Sequence, residues 1–198
     1  MKPLRKNKGE WGYINDRRLR VTLITLFMYA CAIGIFLLGI GITHTRKNLF
    51  TVISVLSILP ASKSLVNMIM FFRFSSLSRE KYTLFSSAAG DIPIIYELPL
   101  TTYERTFFAE AVACTGGSII CFFKPVADKH AGPDALKTKL KEHLDTVLKN
   151  DGHKGLIIKI YDDPESFTGR LREMNANRAG MDPVRDMSVL NTLKAVSL

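Results

Sequence analysis

Residues 21–43 contain no Asp, Glu, Lys, Arg or His. An apolar run of that length matches a bilayer core of about 30 Å, which takes about 20 helical residues to cross. A second apolar run, residues 49–72, follows after a short loop, and Lys63 is its only charged side chain. Together the two runs predict a transmembrane helical hairpin over residues 21–72. The first exceeds the 7–15 apolar residues of a secretory signal, and a second span follows at once, so it reads as an uncleaved anchor.

Charge placement sets the expected orientation. The chain has 27 Lys and Arg against 18 Asp and Glu, a net +9. Residues 1–20 hold seven basic and two acidic side chains, whereas residues 73–198 hold 17 basic and 16 acidic. The excess therefore lies beside the membrane, and the near-neutral C-terminal part argues against a nucleic-acid-binding domain. Basic residues flank both outer ends of the hairpin (Arg17, Arg18 and Arg20; Arg73, Arg79 and Lys81), while the loop has Arg46 and Lys47. By the positive-inside rule both termini are expected in the cytoplasm, in a two-pass protein of the cell membrane. Residues 1–20 read as a basic cytoplasmic arm whose Trp11 would suit the interface.

Within the second run, Pro60 lacks a backbone donor and Lys63 is expensive to bury in lipid. Two geometries fit. In one, residues 49–72 form a continuous span; in the other, the chain breaks at Pro60 and residues 64–74 lie along the surface. The continuous span is preferred, because a lysine stem can carry its ammonium toward water. Ser57, Pro60, Ser64, Asn67 and Phe71 recur at helical spacing and form a semi-polar stripe. Ala30 and Gly34 in the first run are four apart, a spacing that permits close helix approach. Lys63, Ser64 and Asn67 are the candidate contacts for a membrane partner.

Residues 73–90 read as a juxtamembrane helix or linker, and residues 91–198 as a cytosolic domain. Three short apolar runs, residues 92–98, 118–123 and 156–161, are strand candidates. Thr101 with Glu104 resembles a capping box and predicts a helix through Phe107, Phe108, Ala111 and Val112, ended by Gly116–Gly117. Pro133 opens a helix with Leu136, Leu140, Leu144 and Leu148 on one face. Asp163–Pro164 and Asp182–Pro183 open two more. The fold class expected is α/β: a membrane hairpin, then a small domain with a mostly parallel sheet of three strands or slightly more.

The sequence holds no GxxxxGK[ST], no GxGxxG after a strand, no GxSxG and no HExxH. His130, His143 and His153 are scattered, with Asp128, Asp134 and Asp151 nearby in sequence, and Cys31, Cys114 and Cys121 make no CxxC pair. No catalytic residue, cofactor or metal is therefore expected. If a ligand pocket exists, α/β geometry places it at the carboxyl ends of the strands, with Glu97, Thr101, Lys124, Asp162 and Asp163 as candidates. Asp163 is also explained as a helix cap.

Three segments, NLFTVISVLSILPASKSLVNMIMFFRF, YELPLTTYERTFFAEAVA and EHLDTVLKNDGHKGLIIKIYDD, together resemble a family of small two-span membrane proteins from anaerobic Gram-positive bacteria. Some members of such families carry the automatic label "O-linked GlcNAc transferase-like". This chain has no tetratricopeptide array and no sugar-nucleotide motif, so the resemblance implies membrane location and fold, not an activity. The expected role is a non-enzymatic anchor whose α/β domain binds a membrane-protein partner or a second copy. The alternatives are a membrane-localised enzyme with a site at the strand ends, and an accessory subunit of a transport or secretion complex.

Overall fold

The computed structural model describes residues 6–45, 48–102, 104–125, 132–177 and 182–197. The chain forms two compact units. One runs from Ile14 to Ser75; the other joins the residues up to Tyr13 to those from Ser76 onward.

The first unit is a helical hairpin. Helix α1 (Tyr13–Thr43) has 31 residues and α2 (Leu49–Phe72) has 24, or about 46 and 36 Å at 1.5 Å per residue. Both are long and apolar enough to cross a membrane. Helix α2 continues through Pro60, as preferred from the sequence. Asn48 closes the short connection. Its side chain caps α2 by accepting from Thr51 N (2.8 Å) and donates to Thr43 Oγ1 and the Thr45 carbonyl, both at 2.7 Å.

The seam between the helices repeats every seven residues. On α1 the buried positions include Thr25, Ala32 and Gly39; on α2, Ser54, Ala61 and Phe71 are buried, with Ser57 and Ser64 half-buried between them. Thr25 Oγ1 and Ser64 Oγ lie 2.7 Å apart, and Ser54 Oγ donates to the Ala32 carbonyl at 2.7 Å. A Cβ on Gly39 would meet the Phe50 Cβ at 2.5 Å, so only glycine allows this approach. The predicted small-residue pair is not part of the seam. Ala30 is exposed and Gly34 has open space where a Cβ would stand, because a seven-residue repeat selects positions 25, 32 and 39.

The second unit is a three-layer α/β domain. Helix α3 (Arg79–Ala89) precedes strands β1 (Ile94–Thr101), β2 (Thr106–Thr115) and β3 (Ser118–Phe122). Then come α4 (Pro133–Asn150), β4 (Ile157–Tyr161), α5 (Pro164–Ala176) and α6 (Pro183–Val196). The sheet order is β1-β2-β3-β4. The β1–β2 and β2–β3 pairs are antiparallel, and only β3–β4 is parallel. The sheet is therefore mixed rather than mostly parallel, because the segment read as a helix from Thr101 is β2. Gly116 and Gly117, read as a helix end, form the β2–β3 turn with φ of 55° and 78°, the positive values a tight two-residue hairpin requires.

The apolar pattern of β2 hides its period. Ala109 and Val112 are three apart yet pack in the same core cluster, while Ala111 packs on the opposite face. Strand β1 does the same: Ile95 and Leu98 share one face, with Tyr96 on the other. Each strand carries one residue outside the alternation, Glu97 in β1 and Glu110 in β2. The cross-strand partners pass from Tyr96↔Ala111 to Leu98↔Ala109 without a change of register. Glu97 takes up the extra residue with a φ of 55°, a conformation uncommon for a side-chain-bearing residue. Apolar residues on both faces, interrupted by this slip, produce the helix-like spacing of Phe107, Phe108, Ala111 and Val112.

Helices α4 and α6 cover one face of the sheet through Leu136, Leu140, Leu144, Val189, Leu190 and Leu193. Helices α3 and α5 cover the other through Phe85, Phe167, Leu171 and Met174. Of the residues read as a juxtamembrane helix or linker, Arg79–Ala89 form a helix, and it belongs to the core of this domain. At the β1 edge the N-terminal segment adds a bridge, with Tyr96 N–H donating to the Gly9 carbonyl at 2.9 Å. Trp11 packs within this unit. It stacks on Tyr82 at 4.7 Å and donates from Nε1 to the Leu77 carbonyl at 2.8 Å.

Candidate functional site

Strands β1, β3 and β4 run in the same direction, so Thr101, Lys124, Asp162 and Asp163 come to one edge of the domain, as expected. The two carboxylates are engaged with neighbouring protein groups rather than gathered around an opening. Lys137 on α4 holds Asp162 at 2.8 Å and Asp134 at 3.6 Å, and Lys139 holds Glu104 at 2.7 Å. The hydrogen bond to Lys137 lowers the Asp162 pKa from its ordinary value, and the same bond raises that of Lys137. Glu104 is lowered by its bond to Lys139. Asp163 accepts from Ser166 N (2.8 Å) and Oγ (2.7 Å) as the cap of α5, and these bonds lower its pKa. Thr101 faces Thr106 across the hairpin at 3.4 Å, and Lys124 is exposed.

Glu97 does not join that edge. It lies at the middle of β1 and is 1% exposed. Its carboxylate accepts the Ser76 hydroxyl and, at 3.1 Å, the Leu77 N–H. The apolar run stops at Leu98, which puts Glu97 at a strand end by sequence alone; the strand continues through Pro99 to Thr101, and an edge strand tolerates the proline.

The three membrane-contact candidates separate. Ser64 turns into the seam toward Thr25, whereas Lys63 and Asn67 are exposed on the outer face of α2, in line with exposed Pro60. Arg17 and Arg18 lie over the Phe71 and Phe72 rings at 5.8 and 5.4 Å, contacts favoured by the negative face of the ring.

A groove between α4 and α6, of about 1020 Å³, was not foreseen. Val184, Met187 and Val196 on its α6 wall are 81%, 44% and 43% exposed. The signal is present in α6, which has buried Val189, Leu190 and Leu193 on one face and exposed Val184, Met187 and Val196 on the other. At the polar end of the groove, Thr192 donates its hydroxyl to Asp151 and lies 3.4 Å from His153 Nε2, itself 3.6 Å from Asp151. Threonine and carboxylate meet the same ring nitrogen and each other. A nucleophile relay needs them on opposite nitrogens of the imidazole, so this cluster ties the end of α4 to α6.

Cys114 and Cys121 are buried, and burial pushes both thiols up to about 12; Asp186 adds to the effect at Cys114. Thiols so held are protonated and poorly nucleophilic. Asp186 is 1% exposed and accepts the Gly116 N–H at 3.3 Å, which fixes α6 to the β2–β3 turn. His143 is half-buried, and desolvation lowers its pKa. Among the described residues no three metal-ligating side chains converge; Asp128 and His130 lie outside them. No protein-family profile, curated protein or solved structure matches the chain.

Proposed function

We propose that the chain is an integral membrane protein, two-pass with both termini cytoplasmic, whose hairpin holds the α/β domain at the cell membrane for partner binding or self-association. The observation that carries the membrane reading is the polarity of the hairpin. Hydroxyls of Thr25, Ser54 and Ser64 are turned into the seam. Leu26, Phe27, Leu37, Leu38, Leu49 and Leu59 are each more than 60% exposed on the outside. Water favours the reverse arrangement, whereas lipid favours small and hydrogen-bonding residues between helices and apolar ones around them. The partner-binding reading draws on the apolar α6 wall, since exposed patches of this kind mark interaction sites.

Tags at each terminus, probed by protease in right-side-out and inside-out vesicles, test orientation. Both tags are expected to be cut only in inside-out vesicles, and the protein is expected to resist alkaline carbonate extraction. Extraction into the soluble fraction, or tags cut on opposite sides, overturns the two-pass reading.

An accessory-subunit reading rests on one separate observation. Lys63 faces outward from a helix of membrane length and makes no ion pair among the described residues. A neighbouring helix with an acidic or carbonyl partner would compensate it. Lys63→Leu is then expected to leave insertion intact and to abolish co-purification of that neighbour from native membranes; unchanged co-purification removes this reading.

A further inference from the structure

The two edges of the sheet are treated differently. At β1 the N-terminal segment closes part of the edge through Gly9. At β4, no described residue pairs with the outer side of the strand. Ile157 N–H donates inward to the Gly117 carbonyl at 2.9 Å, and the Tyr161 carbonyl accepts inward from Phe123 N–H at 2.8 Å. In parallel pairing, alternate residues therefore turn their backbone groups toward β3, and Ile158 and Ile160 turn theirs away. Such an edge is a template for another strand.

The side chains along this edge state what would fit. Ile158 and Ile160 pack toward the α4–α6 face. On the opposite face lie Ile157, which is 60% exposed, then exposed Lys159, then Tyr161. A strand laid against β4 meets an apolar, a cationic and an aromatic side chain in alternate positions. A second copy paired antiparallel about Lys159 would set that lysine opposite itself, and like charges directly opposite are destabilising. An acidic residue there is favourable, with apolar neighbours two positions to either side.

We propose that β4 is a strand-addition site for an extended segment of a different protein, with an acidic residue opposite Lys159 and apolar residues flanking it at alternate positions. Main-chain bonds to Ile158 and Ile160 supply binding, and Lys159 supplies selectivity. The proposal rests on the reading of the domain as a binding module and names the chemistry of its partner.

The probe is a blocked, fluorescent peptide, Thr-Val-Thr-Glu-Thr-Val-Thr, titrated against the full-length protein in detergent micelles. A companion peptide has Lys in place of Glu. The Glu peptide is expected to bind at least tenfold tighter than the Lys peptide, and Lys159→Glu is expected to reverse the order. Lys159 is exposed, so this variant leaves the core intact, which far-ultraviolet circular dichroism checks. Bound Glu peptide is expected to slow hydrogen exchange at the Ile158 and Ile160 amides at least tenfold and to leave the Tyr96 amide unchanged. Equal affinity for both peptides, or no binding of either, overturns the proposal. So does protection of the two amides in a peptide-free dimer, which would mean that a second copy occupies the edge. Those failures leave the vesicle-protease result untouched, so the anchor and the edge are judged separately.

Discussion

Glu97 accepts the backbone N–H of Leu77 at 3.1 Å from a strand position where its own φ is 55°. The Leu77 carbonyl in turn accepts from Trp11, and Tyr96, next to Glu97, donates to Gly9. Two segments far apart in sequence, residues 9–11 and 76–77, are thus fixed around adjacent residues of one strand. Glu97→Ala leaves the Leu77 N–H and Ser76 hydroxyl without this acceptor, and a buried group so deprived costs about 1–3 kcal/mol. Glu97→Gln keeps one acceptor oxygen and is expected to lose less. The single tryptophan, Trp11, reports on the same contact, so urea unfolding followed by its fluorescence checks both variants. An alanine variant as stable as wild type would show that the carboxylate does not hold the segment.

On the α3–α5 face, Phe85 meets Phe122 at 5.1 Å and Phe167 at 4.8 Å, ring edge to face, and is fully buried. Phe85→Ala is expected to destabilise the domain by about 3–5 kcal/mol. With Phe167→Ala added, the losses should fall short of additivity, since residues in contact couple by about 0.5–3 kcal/mol. Denaturant midpoints of the two single variants and the double variant measure this. Strict additivity would indicate that the two rings contribute independently.

The hairpin seam can be trapped covalently. Thr25 and Ser64 present their hydroxyl oxygens 2.7 Å apart, so cysteines at both positions are within reach of a disulfide. In a Cys31→Ser background, Thr25→Cys with Ser64→Cys is expected to cross-link under mild oxidation. Cys114 and Cys121, held protonated near pH 8, should not compete. A shift in mobility on non-reducing gels that follows the double variant and neither single one is the expected result. Absence of a cross-link would place the seam elsewhere.

Asp162 and Lys137 give the strand-end edge a pH signature. The Asp162 pKa is lowered from its ordinary 3.8, so its contribution is present above that value and is lost as pH falls through the folded-state pKa. Lys137 is raised from 10.5, so its contribution is present below that value and is lost as pH rises through its folded-state pKa. The pair is therefore intact from the weakly acidic range to the mildly alkaline. Both groups are partly exposed, which limits the contribution to no more than about 1 kcal/mol. Asp162→Asn should lower the urea midpoint slightly at pH 7, with the difference vanishing well below pH 4. A difference that persists in acid would assign the effect to packing.

Where a local signal is chemically self-sufficient, the sequence is readable. Pro133, Asp163–Pro164 and Asp182–Pro183 mark helix starts because a cap and a fixed φ act within one turn, and α4, α5 and α6 begin there. Strands β1, β3 and β4 are short apolar runs between turn residues. Strand β2 was missed because its alternation is broken at Glu110, and Thr101 with Glu104 imitates a cap in what is a hairpin loop. Of the five-residue stripe on α2, Ser57, Ser64 and Phe71 lie toward the seam, whereas Pro60 and Asn67 are exposed; α1 is apolar along most of its length and offers no period to read. Lys124, Asp162 and Thr101 were placed at one edge by strand direction alone. That Asp162 is claimed by Lys137 depends on the packing of α4, which no local pattern records.

The paired slip in β1 and β2 ties the lengths of two strands together. Loss of residue 97 alone would keep Leu98 and Leu100 on the core face but leave Glu110 with no residue opposite it, and loss of residue 110 alone would leave Glu97 in the same position. Loss of both restores a plain two-residue alternation in each strand with every cross-strand partner kept. Among relatives of this chain the two positions should therefore be gained or lost together, as a single compensated event.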